Sequence, residues 1–163
     1  MEHMWAPWRM AYIAGEEEKI DGCIFCAFPE KNDDERYLIV YRSQYCFVIL
    51  NKFPYNNGHV MVVPYRHTHD LLALTPVEQQ DCQQTLNKAI RALRTVYNPE
   101  GINMGMNMGR AAGAGIEEHI HYHLVPRWNG DTNFMPVVSG TKVISESLRQ
   151  TWEKMRAAME DAS

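Results

Sequence analysis

The sequence predicts an α+β domain: an antiparallel sheet of about five strands with one long helix and a C-terminal helix. Three observations carry that prediction. Short runs rich in β-branched and aromatic residues are separated by turn-forming residues. One stretch after Thr75 joins a helix start signal to apolar residues at helical spacing. Residues 119 to 125 alternate histidine with apolar side chains, which is the period of a strand. A chain of 163 residues fits a single domain, 1–163, with an aromatic N-terminal segment at 1–20 and a C-terminal extension with a helix at 131–163.

Taken in order, Gly22-Cys23-Ile24-Phe25-Cys26 makes a tight Cys-x-x-Cys knuckle, and the polar run from Pro29 to Arg36 reads as a loop. Tyr37 to Tyr41 and Tyr45 to Leu50 are strands joined by a turn at Arg42-Ser43-Gln44. A Pro/Asn/Gly loop from Asn51 to Gly58 leads to a third strand, His59 to Val63, ended by Pro64. Thr75-Pro76-Val77-Glu78 supplies an N-cap, a first-turn proline and a capping-box glutamate. The helix that follows carries Leu86, Ile90, Leu93 and Tyr97 and stops near Asn98-Pro99. Ile102 to Met108 is a short strand, Gly109 to Gly115 a loop of small residues, and His119 to Val125 the last strand of an antiparallel meander. Ile144, Leu148, Trp152, Met155 and Met159 line one side of the closing helix.

Composition narrows the function. Lys plus Arg total 16 against 20 Asp plus Glu, a net charge of -4, which argues against a partner such as polymeric nucleic acid. A small phosphate ligand needs only a few aimed donors and stays open. No apolar run is long enough to span a membrane, and the first residues lack the apolar stretch of a leader, so a cytoplasmic location is expected. Seven histidines are many for this length, and three fall within five residues. On a strand, His119, His121 and His123 point one way and Ile120, Tyr122 and Leu124 the other. A core has no need of three imidazoles on one face. The plain alternative is a solvated strand or an adventitious metal clip. Upstream, Asn107 to Gly115 is built of small residues whose amides could approach an anion. By itself it could equally be a flexible connection. Cys23 and Cys26 have the spacing of a thiolate pair, and tetrahedral zinc would need two more ligands. Two reduced structural cysteines are the alternative there, and Cys46 and Cys82, among apolar neighbours, read as buried.

His119 to Val125 resembles the His-φ-His-φ-His-φ-φ signature of the histidine-triad (HIT) superfamily of nucleotide hydrolases and transferases. Asn51 through Gly58-His59-Val60-Met61-Val62-Val63-Pro64 is similar to that family's second block. Together the resemblance spans roughly residues 20–130. Trp5-Ala6-Pro7-Trp8-Arg9, Pro126-Arg127-Trp128 and Gly130-Asp131-Thr132-Asn133-Phe134 resemble the bacterial diadenosine-tetraphosphate phosphorylase/hydrolase-like branch. The resemblance implies a HIT-like sheet paired in a homodimer and cleavage of a dinucleoside polyphosphate at its α-phosphate through a nucleotidyl-histidine, by hydrolysis or phosphorolysis.

Residue by residue, it implies His121 as nucleophile, with His123 and His59 as further catalytic histidines. Asn107 and the amides of Gly113, Ala114 and Gly115 would hold the α-phosphate. Asn51 would meet the ribose, with Phe47 and Ile49 as walls for the base. In zinc-containing members, the positions of His67 and His119 complete a site with Cys23 and Cys26, which makes structural Zn²⁺ the expected cofactor. His69 is the rival ligand; it and His3 otherwise read as surface residues. Mg²⁺ would arrive with the substrate. Two other functions fit the same residues, a nucleoside phosphoramidase of the same superfamily and a nucleotide-binding sensor without turnover.

Overall fold

A computed structural model describes residues 19–132 and 144–162. His3, Trp5 to Arg9, Asn133 and Phe134 lie outside the described residues. In chain order the elements are α1 (Ile24–Glu30), β1 (Ile39–Arg42), β2 (Cys46–Leu50), β3 (Val60–Pro64), α2 (Pro76–Tyr97), β4 (Gly101–Gly105), β5 (Tyr122–Arg127) and α3 (Leu148–Asp161). Single 3-10 turns occur at Leu71–Ala73 and Arg110–Ala112. The predicted α+β class is what forms, with every strand pair antiparallel.

The sheet order is β1-β2-β3-β5-β4, so the predicted meander holds only through β3. The reason is α2. Its 22 residues span about 33 Å, enough to carry the chain across the sheet and start β4 at the far edge. β5 then returns between β3 and β4. Helix α2 begins where its capping box says it should: Thr75 Oγ1 accepts from the Glu78 amide while the Glu78 carboxylate accepts from the Thr75 amide. It ends at Asn98, whose left-handed backbone turns the chain out of the helix. Ser147 and Gln150 make the same capping box at the start of α3, leaving Ile144 ahead of the helix.

Both faces of the central strands are covered, which explains why β2 and β3 read as unbroken apolar runs. On one face Cys46, Val48, Leu50, Val60, Val62 and Leu124 pack against Leu86, Ala89 and Leu93 of α2 and Met155 and Met159 of α3. Cys46 and Cys82 are buried as expected. On the other face Phe47, Ile49, Met61 and Val63 pack with Ile39 beneath Phe25 of α1. That second face carries the site.

Two predicted elements are shorter than expected and one was missed. The register Val62↔Tyr122 would next but one oppose Pro64 to Ile120, but Pro64 has no N–H to donate, and the ladder stops. His119 to His121 therefore run ahead of β5, anchored by the Ile120 amide on the Thr68 carbonyl at 2.8 Å. β4 ends at Gly105 instead of Met108. Helix α1 runs from the Cys-x-x-Cys knuckle into the first two residues of the stretch read as a loop; seven residues with a proline in the last turn show too little periodicity to detect.

Candidate active site

The site is built where β3 and β5 pair, because Met61↔His123 places His123 on the face opposite α2. Extending that register by two residues brings His121 opposite Val63, on the same face. The three histidines expected to be co-facial do lie together: the His121 and His123 rings are 4.8 Å apart, and Phe25 touches both His119 (5.5 Å) and His121 (5.0 Å). His59, one residue before β3, joins them across the ladder, its Nε2 2.9 Å from His123 Nδ1.

Backbone partners assign the proton on each ring. The His119 carbonyl can only accept, so His121 Nδ1, 2.9 Å away, carries a hydrogen and its Nε2 keeps a lone pair. The Tyr55 amide can only donate, so His59 Nδ1, at 3.1 Å, accepts and Nε2 carries the hydrogen. That hydrogen goes to His123 Nδ1, leaving the hydrogen of neutral His123 on Nε2. Two adjacent imidazoles are thus held in opposite tautomers, one offering a nucleophile and one offering a proton. Burial lowers the pKa of His121, and burial followed by the neighbouring His121 lowers that of His123 to about 4. Both rings are neutral at pH 7.

Gly58 sets the entry to His59. Its φ is +76°, and a Cβ there would sit 2.7 and 2.9 Å from the Tyr97 ring. Asn56, buried just upstream, donates to the Pro126 carbonyl at 2.9 Å and to Asp131 at 2.6 Å, tying this loop to the end of β5. Asp131 also receives Arg127 and the Trp128 amide, and these donors hold its carboxyl far below the usual range.

The remaining predicted contacts are placed less uniformly. Asn107 follows β4 by two residues, just past the last β4–β5 pair, Gly105↔His123. The amides of Gly113 and Ala114 are turned inward, to the carbonyls of Arg110 and Gly109 at 2.9 and 3.3 Å. They are therefore not available as phosphate donors in this conformation, which corrects their predicted role. The small residues permit the tight turn, and the turn consumes the amides. Asn51 is half-buried at the start of the loop, its carboxamide oxygen accepting from the Phe53 amide. Phe47 and Ile49 lie on the site's face but are buried in its core, beneath Phe25. As placed, they support the site from below; neither presents a wall to a base.

Beside the triad, ligand atoms of Cys23, Cys26, His67 and His119 all lie within 4.8 Å of one another. His119 Nδ1 is 3.3 Å from Cys23 Sγ, 3.6 Å from Cys26 Sγ and 3.3 Å from His67 Nδ1, and Cys26 Sγ is 3.4 Å from His67 Nδ1. Bond lengths of about 2.3 Å to sulfur and 2.0–2.1 Å to nitrogen give tetrahedral edges of roughly 3.3–3.8 Å. The four residues fit zinc. His119 Nε2 donates to the Pro64 carbonyl at 2.7 Å, which leaves Nδ1 free to ligate. The Cys26 thiol resists ionisation without a cation: burial first, then Cys23, pushes it up to about 11. His69 is exposed and outside the cluster. The knuckle is the first turn of a helix, with Cys23 at its N-cap.

Sequence reasoning missed Phe25, Tyr55 and Asn56. Phe25 lies inside the Cys-x-x-Cys spacing that drew attention to its neighbours. Tyr55 and Asn56 sit in a loop whose composition signals only a turn.

Residues 33–130 match the family described as the HIT domain. The chain is 40% identical over 158 residues to a protein of Mycobacterium tuberculosis named AP-4-A phosphorylase, covering 93% of this chain and 80% of that one. It is 35% identical over 91 residues to the bis(5'-adenosyl)-triphosphatase of Saccharomyces cerevisiae, covering 55% and 44%. Among solved structures, a Zn-bound histidine triad family protein from Mycobacterium smegmatis superposes with a TM-score of 0.68 at 27% identity, covering 86% of this chain and 94% of that one.

Two measurements check this geometry. Gly58→Ala forces a left-handed alanine and a clash with Tyr97, and denaturant unfolding is expected to show a loss of about 2–4 kcal/mol. Unfolded His123 takes up a proton near pH 6.5, whereas the native residue refuses it until about 4. Between those values the unfolded state binds more protons, so stability falls as the pH drops through that window. Thermal midpoints should decline across it, and His123→Asn should flatten the decline; an unchanged slope in the variant contradicts the assignment.

Proposed function

The chain belongs to the HIT domain family, and from that premise we propose that it cleaves dinucleoside polyphosphates at the α-phosphate through a nucleotidyl-histidine, with inorganic phosphate as acceptor. The observation that carries this is the pair of opposite tautomers on His121 and His123. The name of the M. tuberculosis relative supports both the substrate and the acceptor.

The residues divide the work. His121 Nε2 forms a bond to the α-phosphorus as the bridging P–O bond breaks, splitting one hard displacement into two. The ring becomes cationic as it is phosphorylated, and the His119 carbonyl on Nδ1 accepts a stronger hydrogen bond from the charged ring. His123 Nε2 donates a hydrogen bond to the bridging oxygen, which departs with the bonding pair as the polyphosphate anion, and His123 keeps its proton. His59, held by the Tyr55 amide, keeps the His123 ring oriented with its Nε2 hydrogen aimed at the leaving oxygen. An acceptor phosphate then attacks the nucleotidyl-histidine, frees His121 and yields a nucleoside diphosphate. Asn107, just beyond the β4 end that pairs with His123, would meet the α-phosphate oxygens in this reading. Asn51 and Gly115 belong to the same nucleotide subsite in this reading.

The reading includes zinc held by Cys23, Cys26, His67 and His119, supported by the tetrahedral edges and by the Zn-bound neighbour. Four protein ligands close the coordination, so the ion's contribution is structural. Mg²⁺ accompanies the polyphosphate. A homodimer is supported by the exposed edge strand β4, where Met104 is 56% exposed. A cytoplasmic location is supported by four free cysteines, and no described helix is long and apolar enough to cross a membrane.

Incubation of diadenosine tetraphosphate with phosphate should give ADP and ATP, and without phosphate little product; AMP and ATP irrespective of phosphate would make water the acceptor. His121→Ala should lower kcat by at least about 10³-fold, as loss of a covalent nucleophile does. Full activity in that variant would refute the mechanism. Metal analysis should find zinc near one per chain. Cys26→Ser should release it and lower the thermal midpoint, because metal binding here is folding energy.

A further inference from the structure

We propose that Tyr55 determines specificity for the leaving half of the substrate, its exposed ring face stacking the base of the second nucleoside. The inference rests on the cleavage reading above and adds a subsite to it. The Tyr55 ring centroid is 4.6 Å from that of His59 and 6.1 Å from that of His123, at an interplanar angle of only 22° to the latter. One side of the tyrosine is therefore committed to the catalytic histidines, yet the residue is 54% exposed. A ring needed only to buttress two imidazoles gains most when it is buried, since its apolar area is the larger part of its contribution. Phe53, two positions earlier on the same loop, is 61% exposed, so the rim beside His123 presents aromatic surface to solvent.

Direction decides what that surface meets. His121 Nε2 attacks from one side of the phosphorus, and the group that departs must lie on the other, within reach of the proton on His123 Nε2. Tyr55 flanks His123, so it flanks the departing arm. With three phosphates between α-phosphorus and distal ribose, that arm is flexible enough to fold its base onto a ring close to His123. A π face accepts any base, and stacking strengthens with ring size, so the ligand class is a nucleoside, purines above pyrimidines. The loop also couples the two tasks. The amide of the residue that would hold the second base is the donor that sets the tautomer of His59.

The test compares two substrates that differ only in the distal nucleoside, diadenosine tetraphosphate and adenosine 5'-tetraphosphate. The preference for the first, read as a ratio of kcat/KM values, should fall about 5- to 100-fold in Tyr55→Ala, the range stacking of one base provides. Tyr55→Phe should keep the preference, because the ring and not the hydroxyl carries it. Equal losses on both substrates would overturn the proposal, since a residue that merely supports His59 and His123 affects both alike. An unchanged ratio would overturn it too. If Tyr55→Ala does not fold, Tyr55→Leu reads the same ratio with the apolar contact retained and the π face removed. Failure of the native protein to turn over either substrate would sink the cleavage reading and this inference together, whereas turnover without a preference sinks only this one.

Discussion

The structure turns on the two ends of His119. Its ring is buried, with Nε2 bound to the Pro64 carbonyl and Nδ1 facing Cys23, Cys26 and His67. Its backbone carbonyl receives Nδ1 of His121. One residue therefore anchors the Cys/His cluster and assigns the tautomer of His121. That double use depends in turn on Pro64, which ends the β3 ladder and so frees residues 119 to 121 from strand pairing. A longer ladder would commit the His119 carbonyl to a neighbouring strand. The imidazole two residues on would then have no fixed proton.

The same economy appears on the other side of the site. Gly58, with its left-handed backbone pressed against Tyr97, lets the loop arrive at β3 with His59 aimed across the sheet. Asn56 ties that loop to Pro126 and Asp131, beyond the end of β5. Strands β3 and β5 are thus cross-braced at the site by side chains as well as by the ladder. Burial of both sheet faces makes this rigid. β2 and β3 have no free side, so neither can slip without moving core residues of α2 or α1.

Much of this was legible in the sequence, for identifiable reasons. The capping box at Thr75 is a local signal, and α2 starts on it. Histidines at period two declare a strand face, and the Gly-His block declares its neighbour. Chemistry concentrated in short runs survives translation into structure because few arrangements of those runs are possible. The long-range consequences were not legible. No local pattern says that β5 inserts between β3 and β4, because the decision is made by the length of α2 and the exposed character of β4. Phe47 and Ile49 show the commonest failure. Apolar residues on a strand look alike whether they line a pocket or fill a core, and here α1, itself too short to detect, covers them. Gly113 and Ala114 fail differently. Small residues were read for the amides they expose, but their turn uses those amides internally.

The acidic composition and the proposed ligand are reconciled by where the donors come from. A net charge of -4 counts only formal charges, and neutral histidines score zero. Yet the geometry supplies a lone pair on His121 and a directed proton on His123, neither of which requires a cationic side chain. The lowered pKa values follow from the same logic. Burial that keeps both rings neutral also keeps them from holding a phosphate as a plain anion site would, and a product that is not gripped by charge can leave. Lysines in place of these imidazoles would bind polyphosphate more tightly and, being protonated, would supply no lone pair for attack near neutral pH. The scarcity of fixed positive charge is thus consistent with turnover, and it shifts recognition of the substrate's two nucleosides onto contacts that charge does not count.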